Sequence, residues 1–494
     1  MLFNSIQFFV FFAVVCTVYA FCSYVVKRNT VTQLFLLLSS LFFYACWKPA
    51  YLCLILLSVC ITYAGGIAME RWGRRKRLLL VAVLCSNLLI LFFFKYFNFF
   101  AGNFNKLSKL AGFGRKIPSL KVLLPVGISF YTFQALGYAI DVCRGTVKAE
   151  RNFVTYALFV TFFPQLVAGP IERTDNLLPQ FKADYRFDYN RVTDGIRLIA
   201  WGVFLKIVVA DRCAQYVDPI YNGDIQTFTG LQFMLATLFF AVQVYADFNG
   251  YSTIAVGVAK ILGFTLMDNF RRPYFSKNTQ EFWRRWHISL GSWFRDYLYF
   301  PLGGSRCSSV RHYANILAVM LVSGLWHGAQ WHFVAWGVLL GVYQVVGIAT
   351  RELRRSCRTA LHLEDETGVV RFWQVMQTAM TFCMICTAWI FFRAPGFMNA
   401  LRILKRLPSV PRDVYDVWRN WMIAGTVSFP VYHAVTVLCI AVLFVVSVVT
   451  KRERGSDLVK RFPAPVRWFL YLSLIVGILF LQQLGETEFL YFQF

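Results

Sequence analysis

Charged side chains are scarce in this sequence of 494 residues. They make up 15% of the chain, whereas hydrophobic residues make up 58%, and a soluble domain carries roughly 25% charged residues. A water-soluble globule of this composition would expose large apolar patches. The shortage of charge therefore excludes a soluble globular protein and a disordered chain, and it predicts a polytopic membrane protein.

Acidic residues are few, and the cysteines form no evident pairs. Asp and Glu number 25 against 50 Lys and Arg, which gives a formal net charge of +25. Cytoplasmic loops of membrane proteins collect Lys and Arg, so the excess does not indicate a nucleic-acid partner. The 13 cysteines are odd in number and scattered, which argues against a disulfide framework. The CxxC at 383–386 lies in an apolar run and is interpreted as packing.

Apolar runs occupy most of the chain, and the expected fold class is an all-α polytopic membrane protein. A helix needs about 20 mostly apolar residues to cross a bilayer. Because several runs are short or broken by polar residues, we expect about eleven crossings, with other segments entering the membrane part-way. The candidate spans are residues 6–26, 31–47, 50–68, 78–100, 121–141, 153–170, 197–211, 231–247, 251–266, 313–326, 331–350, 373–393, 433–449 and 466–483.

Three basic clusters predict the orientation of the spans. They are RWGRRKR at 71–77, RELRRSCR at 351–358 and KRERGSDLVKR at 451–461, and the positive-inside rule places all three in the cytoplasm. Counting spans from them predicts an extracytoplasmic N-terminus and an extracytoplasmic aromatic tail at 484–494. The basic loop at 101–121 contradicts this count, so either that loop is an interfacial segment or one early span is wrong.

A central segment, 268–306, is too polar to cross lipid alone, because it interleaves Lys and Arg with aromatic residues. The spacing of its tryptophans predicts an amphipathic helix between Thr279 and Leu298. Within that helix Glu281 and Arg285 are expected to pair at i and i+4. The helix either lies at the level of the lipid headgroups or forms the re-entrant floor of a cavity.

His327 lies in a strongly apolar run at 313–341. An ionisable residue at membrane depth is costly and is a candidate for function, although a buried histidine also serves for packing. Burial favours the neutral imidazole, which accepts a proton as a general base must. His332 follows five residues later, and HGAQWH is not the zinc-binding HExxH motif, so no metal site is predicted. Asp247 is interpreted as a carboxylate that ties two spans together.

Several strings resemble motifs of the membrane-bound O-acyltransferase family. They include FWRRWHISL at 282–290, RDYLYFPLGG at 295–304 and SGLWHGA at 323–329. The likeness is to the bacterial branch that includes alginate O-acetylation and teichoic-acid D-alanyl transfer proteins, and it extends over most of the chain. The resemblance implies one membrane-embedded domain over 1–494, with a catalytic core at 268–341, in which a ring of helices with re-entrant central segments surrounds a tunnel.

The resemblance also implies roles for single residues. His327 matches the family's catalytic histidine, which acts as general base. His287 matches the polar position that accompanies it forty residues upstream, and it is a candidate, with Trp286, to stabilise the oxyanion. The candidates for donor binding are charged or aromatic side chains near these histidines, namely Arg284, Arg285, Arg295, Trp286 and Trp326.

The implied activity is acyl transfer across the bacterial cytoplasmic membrane. A cytosolic thioester, acetyl-CoA or an acylated carrier protein, is the expected donor, and no bound cofactor is expected. The expected partners are membrane lipid and an extracytoplasmic acetyltransferase of the SGNH type, and nucleic acid is not among them. The acyl group, acetyl in the favoured interpretation, is destined for a cell-envelope polysaccharide. Tyr491, in the terminus FLYFQF at 489–494, is the candidate acyl carrier. D-alanyl transfer to teichoic acids, a membrane transporter and a non-catalytic anchor are the alternatives.

Overall fold

The structure is a computed structural model, and it describes residues 1–167, 169–360, 368–424, 431–450, 459–482 and 489–490. These ranges are mostly helical and contain no strand, which confirms the all-α class. The chain forms two compact units. One comprises Met1–Ile199 with Tyr251–Asp268, and the other comprises Ala200–Gly250 with Asn269–Phe494.

The first unit is built from apolar helices that polar side chains join in its interior. The Tyr156 hydroxyl donates a hydrogen bond to Thr62 Oγ1 at 2.6 Å, and the Ser58 hydroxyl donates to Asn87 Oδ1 at 2.5 Å. Such interhelical bonds stabilise helix packing where the surroundings are as apolar as the helices. Its helices are α1 (Ile6–Phe21), α2 (Asn29–Ala45), α3 (Leu52–Arg71), α4 (Lys76–Leu91), α5 (Phe97–Leu110), α6 (Ile128–Arg144), α7 (Phe153–Thr161), α8 (Phe163–Leu166) and α9 (Thr174–Gln180).

Two helices are divided between the units, namely α10 (Tyr189–Val203) and α12 (Gly230–Ile261). A π-helical segment, Phe204–Ala210, joins α10 to α11. The other helices of the second unit are α11 (Asp211–Asn222), α13 (Thr279–Arg285), α14 (Ile288–Phe294), α15 (Ser309–His327), α16 (Trp331–Ala349), α17 (Arg351–Ala360), α18 (Gly368–Arg393), α19 (Phe397–Arg406), α20 (Val410–Ala424), α21 (Val431–Val449) and α22 (Ala464–Leu481).

The core of the second unit is aromatic. The indole rings of Trp286, Trp336 and Trp389 are all buried. Trp389 stacks on Trp336 with the ring centroids 5.9 Å apart, and its centroid lies 5.1 Å from that of Trp286. Large rigid rings that contact one another fix the neighbouring backbone. This core therefore supports the elements that carry the candidate site.

Seven helical stretches in the described part of the chain are long and apolar enough to cross a membrane. They are Ile6–Val26, Pro49–Arg71, Gly73–Leu110, Gly230–Ile261, Trp331–Ala349, Val370–Arg393 and Ala464–Leu481. Three shorter apolar helices cover Asn29–Ala45, Phe153–Leu166 and His433–Val449. The chain is thus a multi-pass membrane protein, and a total of about eleven crossings stays a prediction.

One pair of expected spans is wrong. The runs at 231–247 and 251–266 were expected as separate crossings, but the chain forms one continuous helix over Gly230–Ile261. The polar residues around Asp247 lower the local hydropathy without ending the helix. Asp247 is buried, and its carboxylate is bonded inside the second unit.

Candidate functional site

The polar segment after α12 folds as two short helices. α13 ends at Arg285 and α14 begins at Ile288, so the continuous amphipathic helix expected over 279–298 is wrong. Between the two helices the backbone of His287 is left-handed, with φ 43° and ψ 55°. That conformation is rare for a residue with a Cβ atom, and it costs about 1–3 kcal/mol that the surroundings must offset.

Hydrogen bonds to Asn269 hold this break in place. The backbone N–H of Ile288 donates to the carbonyl of Asn269 at 2.9 Å, and the hydroxyl of Ser289 donates to the Asn269 side chain at 2.6 Å. In a continuous helix the Ile288 N–H would donate instead to the carbonyl one turn earlier. Because Ile288 and Ser289 bond to Asn269 and not to the preceding helical turn, the chain turns at His287. The side chain of His287 is buried.

The imidazole of His287 lies among aromatic rings. It meets the ring of Phe248 edge to face with centroids 4.6 Å apart, and the indole of Trp326 lies 5.9 Å away. His287 lies outside the candidate membrane spans. Burial lowers its pKa from the usual 6.5 to about 3, because the charged form loses its hydration. The ring is therefore neutral at physiological pH.

His327 is the last residue of α15, and its side chain is buried. Three aromatic rings contact its imidazole, with centroid distances of 4.9 Å to Trp326, 4.9 Å to Trp336 and 5.4 Å to Phe392. Rings on several sides fix the orientation of the imidazole. His327 is thus held in an apolar environment, as its position in the sequence predicted.

Glycines bring α15 and α16 into backbone contact beside His327. A Cβ atom at Gly324 would lie 2.4 Å from the carbonyl oxygen of Phe333, and one at Gly337 would lie 2.3 Å from that of Met320. Real Cβ atoms do not approach a backbone oxygen so closely. The SGLWHGA string therefore needs its first glycine for close packing of the two helices.

His332 serves packing. Its Nδ1 lies 2.9 Å from the carbonyl oxygen of Phe391, and its Nε2 lies 2.8 Å from Oε1 of Gln330. Both ring nitrogens are occupied by these partners. Among the described residues, no group of three or more His, Cys, Asp or Glu side chains is placed to hold a metal ion.

A cavity of about 870 Å³ reaches both His287 and His327. Pockets that bind small molecules typically enclose roughly 300–1,000 Å³. Its lining also includes four exposed arginines, namely Arg284, Arg295, Arg351 and Arg354. The cavity therefore extends from a basic, exposed mouth to two buried histidines.

The predicted donor-binding residues divide into two groups. Arg284, Arg295 and Trp286 line the cavity. Arg285 is not part of its lining, and its guanidinium pairs with Glu281, which confirms the expected i, i+4 pair. Trp326 is also absent from the lining, and its indole contacts the rings of both histidines.

Arg351 and Arg354 were missed as site residues. In the sequence they belong to a basic cluster that the positive-inside rule explains without any ligand. The structure places them at the cavity mouth, at the start of α17. Arg295, in contrast, is already neutralised by Asp296, with Nε and Nη2 at 2.8 and 3.2 Å from the two carboxylate oxygens.

A buried ion cluster lies in the same unit as the cavity. Nζ of Lys206 lies 2.8 Å from Oδ1 of Asp211 and 2.8 Å from Oδ1 of Asp247. The other oxygen of Asp247 accepts a hydrogen bond from the backbone N–H of Leu490 at 2.9 Å. Asp247 therefore ties the π-helical segment and α12 to the chain terminus. Lys206 had a sequence signal, as the lone cation in an apolar run, but no predicted partner.

The C-terminal residues that the structure describes are buried. Phe489 and Leu490 are 0% and 5% exposed, and the ring of Phe489 lies 6.0 Å from that of Phe248, which also contacts His287. Tyr491 lies outside the described residues. A tail that served only as an interfacial anchor would not have these two residues in the interior.

Comparisons with known proteins give one consistent result. The model of the MBOAT, membrane-bound O-acyltransferase family matches residues 148–391, which include both histidines. The chain is 31% identical to the peptidoglycan O-acetyltransferase of Helicobacter pylori, over 95% of this chain and 92% of that protein. It is 34% identical to the probable alginate O-acetylase AlgI of Pseudomonas aeruginosa, over 78% and 71%. The teichoic acid D-alanyltransferase of Streptococcus thermophilus is 30% identical, over 57% and 70%.

Proposed function

Because the chain belongs to the membrane-bound O-acyltransferase family and is an O-acyltransferase, we propose that it transfers an acetyl group from a cytosolic thioester across the membrane for O-acylation of a cell-envelope polysaccharide. The similar proteins support this substrate class, since their names give peptidoglycan and alginate as the polymers and acetyl as the group. The observation that carries the proposal is the cavity that joins exposed arginines to two buried histidines.

His327 is the proposed general base. Its imidazole removes the proton of the acceptor hydroxyl, and the oxygen attacks the thioester carbonyl. A carbon–oxygen bond forms, the carbon–sulfur bond breaks, and the proton passes from His327 to the leaving thiolate. His287 and Trp286 also line the cavity, and their ring N–H groups are the proposed donors to the oxyanion.

The mouth of the cavity suits a donor that carries phosphate. Guanidinium groups bind phosphate through paired, charge-assisted hydrogen bonds. Arg284 forms no ion pair with any described residue, and the same holds for Arg351. Acetyl-CoA and the phosphopantetheine arm of a carrier protein both place a thioester at the end of a phosphate-bearing chain. Arg351 and Arg354 belong to a basic cluster, which supports a cytoplasmic location for this mouth.

Tyr491 is the proposed acceptor inside the membrane. It follows Leu490 directly, and Phe489 contacts Phe248, the ring that meets His287. A polymer chain is too bulky for a buried cavity, whereas one phenol is not. The O-acetyltyrosine then passes its acetyl group to an extracytoplasmic acetyltransferase, which completes the modification of the polymer.

D-alanyl transfer is the second candidate. The observation that favours it is the similarity to the teichoic acid D-alanyltransferase, which covers less of this chain than the similarity to the peptidoglycan O-acetyltransferase does. The chemistry at His327 is the same for both groups. Feeding labelled acetyl-CoA or a D-alanyl carrier protein to the same vesicles distinguishes them by which label reaches the protein.

The test uses the purified protein in vesicles with labelled acetyl-CoA. We expect His327→Ala to lower acyl transfer by about a hundredfold or more, the usual contribution of a general base. Tyr491→Phe should abolish the label on the C-terminal peptide, whereas Tyr415→Phe, on an exposed side chain of α20, should leave it intact.

Each alternative predicts a different outcome. A non-catalytic anchor would keep envelope acylation after His327→Ala, and a transporter would accumulate solute in vesicles without any thioester. Full activity of Tyr491→Phe, with a folded protein by thermal unfolding, would overturn the acyl-tyrosine step while leaving the role of His327 standing.

A further inference from the structure

We propose that Asp247, together with Lys206, is a positioning site that holds the C-terminal segment at Leu490. Asp247 binds the backbone of Leu490 and thereby presents the next residue for acylation. The inference rests on the proposed function of Tyr491 and adds to it the group that seats the acceptor. Asp247 is not part of the cavity lining, so its effect is on position and not on chemistry.

The charges at this site favour an additional N–H donor. The side chains of Lys206, Asp211 and Asp247 are 2%, 7% and 3% exposed, and two carboxylates share the one ammonium group. Buried carboxylates require hydrogen-bond donors on their oxygens. Oδ1 of Asp247 forms an ion pair with Nζ of Lys206, and Oδ2 accepts a hydrogen bond from the N–H of Leu490 at 2.9 Å. The backbone of the terminus therefore completes a buried carboxylate.

The position of Asp247 links this bond to the active site. Asp247 precedes Phe248 on α12, and the ring of Phe248 contacts both His287 and Phe489, at 4.6 and 6.0 Å between centroids. A single helical turn thus carries the group that holds Leu490 and the ring that packs between Phe489 and His287.

A second hydrogen bond holds the chain upstream of the terminus. Nε of Arg212 donates to the carbonyl oxygen of Leu481, the last residue of α22, at 2.7 Å. Arg212 follows Asp211, the other partner of Lys206. The short stretch 206–212 therefore restrains the chain at Leu481 directly and at Leu490 through Asp247.

Two variants remove the proposed seat in different ways. Asp247→Ala deletes the acceptor, and Leu490→Pro deletes the N–H donor, because proline has none, while all three buried ions stay in place. We expect each to lower the rate of O-acetyltyrosine formation by about tenfold or more, as for loss of a hydrogen bond to a charged group. The KM for acetyl-CoA should not change, since the donor cavity is untouched.

The matched controls are Asp218→Asn and Leu490→Ala. The first removes a carboxylate of α11 that pairs with Arg393, outside the buried ion cluster, and the second keeps the N–H. Both should retain acylation within about threefold, since the charge-assisted bond to Leu490 persists. A synthetic hexapeptide FLYFQF, added at high concentration, should be acetylated by Asp247→Ala and by Tyr491→Phe alike, because it supplies the acceptor in trans.

The outcomes separate this inference from the proposed function. If Tyr491→Phe retains activity, the acyl-tyrosine step fails and the positioning role fails with it. If Tyr491→Phe is inactive while both Asp247→Ala and Leu490→Pro form O-acetyltyrosine at the wild-type rate, only the positioning role is overturned. If Asp218→Asn loses as much activity as Asp247→Ala and Leu490→Pro retains it, the loss is not specific to the cluster and the inference is also wrong.

Discussion

At His287 a strained backbone, a buried imidazole and a cavity wall coincide. The left-handed conformation appears among the described non-glycine residues only at Lys27, Arg272 and His287. Resemblance to a family identified His287 as a site residue, but no local pattern predicted its conformation, since histidine enters that region more often than most residues and still only rarely. The hydrogen bonds to Asn269 hold His287 in this conformation. The periodicity of the sequence does not predict such tertiary hydrogen bonds.

The depressed pKa of His287 predicts how stability depends on pH. The unfolded chain binds a proton at its usual pKa of about 6.5, whereas the folded imidazole does so only near 3. Stability is therefore fully present above about pH 6.5 and falls as the pH drops toward 3, by up to about 1.4 kcal/mol per pH unit. His287→Asn should reduce this slope. Thermal unfolding in detergent across that range measures it, and equal slopes for both proteins would refute the assignment.

At the scale of single elements, α13 presents its two adjacent arginines differently. Arg284 lines the cavity, whereas Arg285 pairs with Glu281 away from it. The i, i+4 pair was predictable because both partners lie within one turn. The end of α13 was not predictable. The tryptophan spacing suggested a longer helix, but it arises because tryptophans on both sides of the break are buried in an aromatic core.

This difference predicts unequal effects of neighbouring substitutions. Arg284→Gln should raise the KM for acetyl-CoA by roughly threefold to tenfold, the modest effect expected for an exposed charge that binds phosphate, with kcat unchanged. Arg285→Gln is the matched control and should leave the KM within about twofold, since its partner is a surface carboxylate. Initial rates at varied acetyl-CoA decide the point, and equal KM values for the two variants would contradict the placement of the donor.

For the whole molecule, composition and hydropathy predicted the class correctly, whereas the division of the chain into spans was less exact. The error at α12 has a physical cause. Hydropathy treats Asp247 as an interruption, but Lys206 and Leu490 satisfy its carboxylate inside the protein. Satisfied polar groups do not end a buried helix. The hydropathy of one run of residues does not reveal contacts with residues that are distant in sequence.

The predicted orientation is testable with the native cysteines. Cys357, on α17, and Cys46, just after α2, are both exposed. The basic clusters place Cys357 in the cytoplasm, and the span count places Cys46 outside. The variants each keep one of the 13 cysteines, either Cys46 or Cys357. A membrane-impermeant maleimide added to intact cells should label Cys46 and spare Cys357. In inverted vesicles the result should be reversed. Labelling of both from one side would refute the orientation.

The glycine contact between α15 and α16 limits how the enzyme can move during turnover. Carbonyl oxygens stand where Cβ atoms would otherwise be, so neither helix has room to slide past the other without a clash. The pair of helices α15 and α16, which carries His327, therefore moves only as a rigid body. In the proposed mechanism, donor exchange at the cavity mouth therefore depends on side-chain movement, and the position of His327 relative to α16 does not change.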